Sequence, residues 1–149
     1  PERWNITHPD IIKDIHKAYF EAGSNIVCAN TFGANPLKFS DDELSEIISA
    51  AIKNAKDAIA ETGNSENKFV ALDMGSLGKL LKPLGDLSFE DAVSAFSKTV
   101  KLGAKYGGHR GRAHCNVLHQ LYAHPYGAVL RAFHRALHRA LPQVLTQGI

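Results

Sequence analysis

Two short stretches carry residue types suited to holding a small polar molecule. In the first, Asn25–Ala29 leads straight into Asn30-Thr31-Phe32-Gly33-Ala34-Asn35, where an amide, a hydroxyl, an aryl ring and a glycine follow one another. In the second, Lys68–Leu72 leads into Asp73-Met74-Gly75-Ser76-Leu77-Gly78-Lys79, an acid followed by a glycine-rich loop. The chemistry on offer is recognition rather than bond making. Asn30 and Thr31 put an amide and a hydroxyl at the end of a strand, and Gly33 lets the backbone turn sharply or come close to a ligand. No catalytic residue is assigned in either stretch.

The elements that must position these residues are legible in the surrounding pattern. Ile26, Val27, Cys28 and Ala29 form a short apolar run, which predicts a strand at 25–30 covered on both faces, with Cys28 as a small core residue. Phe69–Leu72 predicts a second strand, over 68–73. Thr7 is a candidate cap for a helix with Pro9 in its first turn and Gly23 past its end. Ile11, Ile12, Ile15, Ala18, Tyr19 and Ala22 supply its apolar positions. Ser40, followed by three acids, opens a second helix whose face runs through Leu44, Ile47, Ile48, Ala51, Ile52, Ala55 and Ile59. Ser88 and Asp91 open a third, with Val93, Phe96 and Val100 on one face and an end near Gly103.

Helices alternating with strands across short links predict right-handed βαβ units in a parallel sheet, an α/β fold. In such folds small molecules bind at the carboxyl ends of the strands, where both stretches fall. The bland alternative for either loop is an ordinary strand-to-helix turn.

Charge divides the chain unevenly. All 15 acidic residues lie at or before Asp91, among nine basic ones, whereas residues 92–149 hold eight basic residues and no acid. Six of the eight histidines follow position 108. This predicts two regions, 1–106 and an atypical His/Arg-rich tail at 107–149 whose composition suits a shifted reading frame or a foreign segment. Within the tail, Val129, Leu130, Phe133, Leu137 and Leu141 have helical spacing before Pro142. His134 and His138 stand at i,i+4, a zinc-binding spacing, but Arg135 replaces the glutamate of a metalloprotease motif and no third ligand is evident. His114 and Cys115 are a weaker pair. Arg131, Arg135 and Arg139 form a basic stripe, read as a solvated face rather than a nucleic-acid or membrane contact. Two cysteines do not make a disulfide framework, and no apolar run approaches membrane-spanning length. With no leader-like segment at its start, the chain is expected in the cytoplasm.

The run Asn5-Ile6-Thr7-His8-Pro9-Asp10-Ile11-Ile12, the Ile15-His16…Tyr19…Glu21-Ala22-Gly23 helix end, the Asn30–Asn35 turn and Asp73–Leu81 with Pro83-Leu84-Gly85 resemble the homocysteine S-methyltransferase family. The likeness covers residues 1 to about 106 and is strongest to the homocysteine-binding module of cobalamin-dependent members. It implies part of a (β/α)8 barrel that binds homocysteine, with a methyl donor or cobalamin module as the other partner and no membrane or nucleic acid. It implies Asn30, Thr31, Phe32 and Gly33 as pocket-lining residues, and Asp73, Gly75 and Ser76 near the amino-acid end of the substrate. The family's Zn²⁺ lowers the homocysteine thiol pKa, and methylcobalamin is a possible methyl source. Here Ser76 and Leu77 replace the family's proline and following hydroxyl residue, and its zinc-binding Asn-Cys and Gly-Gly-Cys-Cys motifs do not occur. The chain is expected to supply two strands and three helices of the barrel and to be inactive alone. The alternative is a non-catalytic interaction module, or a binder of nucleic acid or anionic surfaces through the tail.

Overall fold

The computed structural model describes residues 1–63 and 67–107, and the backbone of 114–116. Seven elements follow in order: α1 (Trp4–Thr7), α2 (Pro9–Glu21), β1 (Ile26–Cys28), α3 (Asp41–Glu61), β2 (Phe69–Asp73), α4 (Phe89–Gly107) and β3 (His114–Asn116). The strands form one parallel sheet in the order β1-β2-β3, with Val27 opposite Val70 and Leu72 opposite Cys115. The sheet therefore has a third strand where two were expected. Its residues lie in the acid-free region, and parallel pairing uses backbone groups that every non-proline residue carries.

The helix α3 forms because its apolar residues recur every three to four positions behind a serine cap. Ser40 Oγ accepts from the Glu43 N–H (3.4 Å), and Asp41, Asp42 and Glu43 face the positive end of the helix dipole. Leu44, Ile47, Ile48, Ala51, Ala55 and Ala58 have no exposed surface. Each large aliphatic side chain among them gains about 1.5–3 kcal/mol from leaving water. They divide between two clusters. One joins Ile47 and Ile48 to Leu72, Met74 and Val100, and the other joins Ala51 and Ala55 to Phe20, Val27 and Val70. Val27, Val70 and Leu72 thus point from the sheet toward the helices.

The opposite face of β1 departs from expectation. Ile26 and Cys28 are exposed, so the strand is covered on one face only and Cys28 is not a core residue. Strict alternation in a pleated strand puts Val27 under the helices and its neighbours on the other face. The first long helix also differs. Thr7 does not cap it; the residue belongs to α1, with its hydroxyl donating to the Arg3 carbonyl (3.2 Å), and α2 begins after His8 without a side-chain cap. The buried face of α2 is Ile12, His16 and Phe20, while Ile11, Ile15 and Tyr19 stay exposed. Helix α4 runs past Gly103 to Gly107, and a Cβ at Gly103 would stand 2.5 Å from Leu72 Cδ2. That glycine permits close packing of helix on strand rather than ending the helix.

His16 lies buried in α2 with no hydrogen-bond partner for Nε2, and burial pushes its imidazole below the usual range. The unfolded chain therefore takes up the proton first as pH falls below about 6.5, the ordinary histidine value. Stability is expected to decline from there until the lower folded-state value is passed. Urea unfolding at pH 7.5 and 5.5 should show this decline in the wild type, and His16→Leu should flatten it across that interval.

Among the described residues no helix is long and apolar enough to cross a membrane.

Candidate functional site

Because β1 and β2 are parallel neighbours, their carboxyl ends lie on one edge of the sheet. Thr31 joins them. Its fully buried hydroxyl donates to the Asp73 carbonyl (2.8 Å) and accepts from the Asp73 N–H (3.1 Å). One turn further on, the Gly75 N–H donates to the Phe32 carbonyl at 2.7 Å. The two loops, 42 residues apart at Thr31 and Asp73, are thus held together by three hydrogen bonds. Gly75 is required by this approach: a Cβ there would stand 2.7 Å from both the Phe32 ring and its carbonyl oxygen.

The first loop is braced from below by α1 and the residues before it. Asn5 Nδ2 donates to the Asn30 carbonyl (2.7 Å) and to the Glu2 carbonyl (2.8 Å), and Asn54 of α3 in turn donates to the Asn5 carbonyl (3.0 Å). Glu2 is buried. Its carboxylate accepts from the Gly33 N–H (3.1 Å) and from Lys38 Nζ (2.9 Å). Burial raises the Glu2 pKa, but the Lys38 hydrogen bond, backbone donation and nearby positive charge outweigh it, leaving the net shift downward. A Cβ at Gly33 would stand 2.4 Å from Glu2 Oε1, so glycine there makes room for the brace.

The residues expected to meet a substrate are placed as follows. Asn30 is half-buried and its amide donates to the Pro1 carbonyl (3.1 Å). Thr31 is wholly committed to the clamp, so its role is to position rather than to touch a ligand. Phe32 is exposed, and Gly33 is tied to Glu2. Asp73 is half-buried, Gly75 is buried and Ser76 is exposed at the loop surface. Burial pushes the Asp73 carboxyl upward, and donation from the Met74 N–H only partly opposes it. Among the described residues no cation pairs with Asp73, unlike Glu2. Asp73 also acts on Cys28: burial raises that thiol's pKa and the nearby carboxylate raises it further, so the neutral thiol is favoured.

Glu2 and Asn5 were invisible as site residues in the sequence. Glu2 reaches Gly33 across 31 positions, and no local spacing signals such a contact. His134, His138, Arg131, Arg135, Arg139 and the side chains of His114 and Cys115 lie outside the described residues.

Among the described residues no three His, Cys, Asp or Glu side chains converge to hold a metal. At the strand tips the described residues bring one thiol, Cys28, near one carboxylate, Asp73, which falls short of the three or four protein ligands a zinc site takes. The tips can instead offer a carboxylate, an exposed aryl ring and an exposed hydroxyl around one edge.

A family model described as homocysteine S-methyltransferase matches residues 1–113. Methionine synthase of Mycobacterium tuberculosis is 31% identical over 108 residues, covering 70% of this chain and 9% of that protein. Methionine synthase of Mycobacterium leprae is 30% identical over the same length and shares. The chain therefore spans about a tenth of the length of these relatives. Among solved structures, the metallated form of the Escherichia coli homocysteine methyltransferase MmuM superposes with a TM-score of 0.60 at 17% identity, over 71% of this chain and 42% of that one. Its oxidized form gives 0.58 at 16% identity.

Proposed function

The chain belongs to the homocysteine S-methyltransferase family, and from that premise we propose that the joined tips of β1 and β2 form the homocysteine-holding part of a methyl-transfer site. The observation that carries this reading is Asp73: a half-buried carboxylate without a cationic partner among the described residues, at the strand edge where an amino-acid ammonium would complete it. Phe32 and Ser76, on the same two loops, are exposed. Glu2, Asn5 and Thr31 position the two loops.

In the whole protein the transferred methyl group goes to the homocysteine thiol, from methylcobalamin or another donor, within a closed (β/α)8 barrel. Zinc, when bound, lowers the thiol pKa; its ligands are not among the residues described here, so this chain's part is to bind and orient. Alone it binds homocysteine and does not transfer a methyl group.

Titration calorimetry with homocysteine tests this. Asp73→Asn is expected to weaken binding about tenfold, the loss of roughly one charge-assisted contact. Incubation with homocysteine, zinc and methylcobalamin is expected to yield no methionine. Equal affinity of Asp73→Asn and wild type would remove the reading; methionine formation would overturn the division of labour.

A further inference from the structure

The loop that leaves β2 is plugged into the protein by two buried side chains. Met74 enters the cluster that holds Ile47, Ile48, Leu72 and Val100, whereas Leu77 enters a separate one with Leu87, Ala92 and Ala95. Ala92 and Ala95 belong to the first turns of α4, so Leu77 seats the loop on that helix. Ser76 lies exposed between the two plugs, and Gly78, Lys79 and Leu80 are exposed beyond them.

Hydrogen bonding leaves a gap at the same place. The Gly75 N–H is committed to the Phe32 carbonyl, and the next backbone bond along the chain is at Leu80, whose carbonyl accepts from the Leu87 N–H (3.3 Å). Ser76, Leu77, Gly78 and Lys79 make no hydrogen bond to any described residue. The stretch is also bounded by glycines at 75 and 78, which lose more conformational freedom on ordering than other residues. Such a stretch stays ordered only where burial outweighs that entropy, and Leu77 supplies the buried apolar surface. Leu77 stands two residues beyond Gly75, so its seat on α4 fixes the direction in which the chain leaves the Gly75–Phe32 contact.

We propose that Leu77 is a positioning residue for the strand edge: its burial against α4 keeps the Gly75–Phe32 contact closed and so holds the Asp73 carboxylate and the Phe32 ring together. Its effect on binding rests on the homocysteine reading above; its action as an anchor does not. The test uses the full 149-residue chain, with amide exchange followed residue by residue without ligand and homocysteine affinity measured by calorimetry. Leu77→Ala is expected to speed exchange of the Gly75 amide and to weaken homocysteine about tenfold. Leu77→Met keeps the volume of the plug and should bind within about twofold of the wild type. Leu87→Ala opens the same cluster at the far end of the loop and controls for lost stability alone. It should lower the melting temperature yet leave Gly75 exchange and affinity nearly unchanged. Should Leu77→Ala fail to fold, Leu77→Val and Leu87→Val make the same comparison with a smaller deletion. Wild-type exchange at Gly75 or undiminished affinity in the Leu77 variant would overturn the proposal, and so would equal weakening by the Leu87 variant. Failure of the homocysteine reading shows instead as equal affinity of Asp73→Asn and wild type, and it leaves the exchange measurement to decide the anchor.

Discussion

Gly75→Ala is expected to cost the chain roughly 2–4 kcal/mol, combining overpacking against a backbone carbonyl with the loss of one hydrogen bond. The added methyl would have to sit 2.7 Å from the Phe32 carbonyl oxygen, the same atom that accepts from the Gly75 N–H. A flexible side chain could swing aside, but a backbone carbonyl held at the end of β1 cannot do so without separating the two loops. Urea unfolding followed by circular dichroism should show the midpoint fall with little change in slope, because the surface exposed on unfolding stays nearly the same. Homocysteine affinity should fall further than stability alone explains, since Asp73 and Phe32 would no longer share one edge. A Gly75→Ala chain with wild-type stability would mean that the loops are not packed as described. Gly78 makes a useful contrast. It has a positive φ of 74° and open space around its Cβ position, so alanine there is disfavoured by backbone conformation and not by collision.

Thr31→Val is expected to destabilise by a similar amount, about 2–4 kcal/mol, although valine matches threonine closely in shape. The hydroxyl serves both the N–H and the C=O of Asp73, and it lies in a site with no exposed surface. Valine leaves two backbone groups without that partner, each costing about 1–3 kcal/mol when water cannot reach it. Thr31→Ser keeps the hydroxyl and should retain most of the stability lost by valine. If valine and serine behave alike, the side chain's volume rather than its hydrogen bonds joins the loops. The same pair of variants separates support from contact in the binding reaction. Thr31 spends its hydroxyl on backbone, so serine should bind homocysteine nearly as the wild type does, whereas valine should not.

Together with Glu2 and Asn5, these residues describe a site whose groups are mostly internal to the protein. Glu2 holds Gly33, Asn5 holds Asn30, Thr31 holds Asp73, and Gly75 holds Phe32. Each link crosses between elements, so the strand edge is preorganised before any ligand arrives. What remains open to a ligand at the edge is the Asp73 carboxylate, which has no cationic partner among the described residues, the exposed side of Phe32 and the Ser76 hydroxyl.

The sequence by itself determined the order of the main elements and the placement of both loops. Apolar spacing in Leu44–Ile59, the Ser40 and Ser88 caps and the short apolar runs at 26–29 and 69–72 are local signals, and local geometry obeys them: Ser88 Oγ does accept from the Asp91 N–H at 3.0 Å. The motifs in those loops also carried the family resemblance, which the family match bears out. Tertiary structure decided the rest, because the deciding contacts are distant in sequence. Helix α2 is apolar around much of its circumference, so only packing on α3 selected Ile12, His16 and Phe20 over Ile11, Ile15 and Tyr19. Gly103 looks like a helix stop until Leu72 is seen against it. A run such as Ile26-Val27-Cys28 reads as doubly buried on its own, yet burial belongs to neighbours, and here only the Val27 side of β1 is covered.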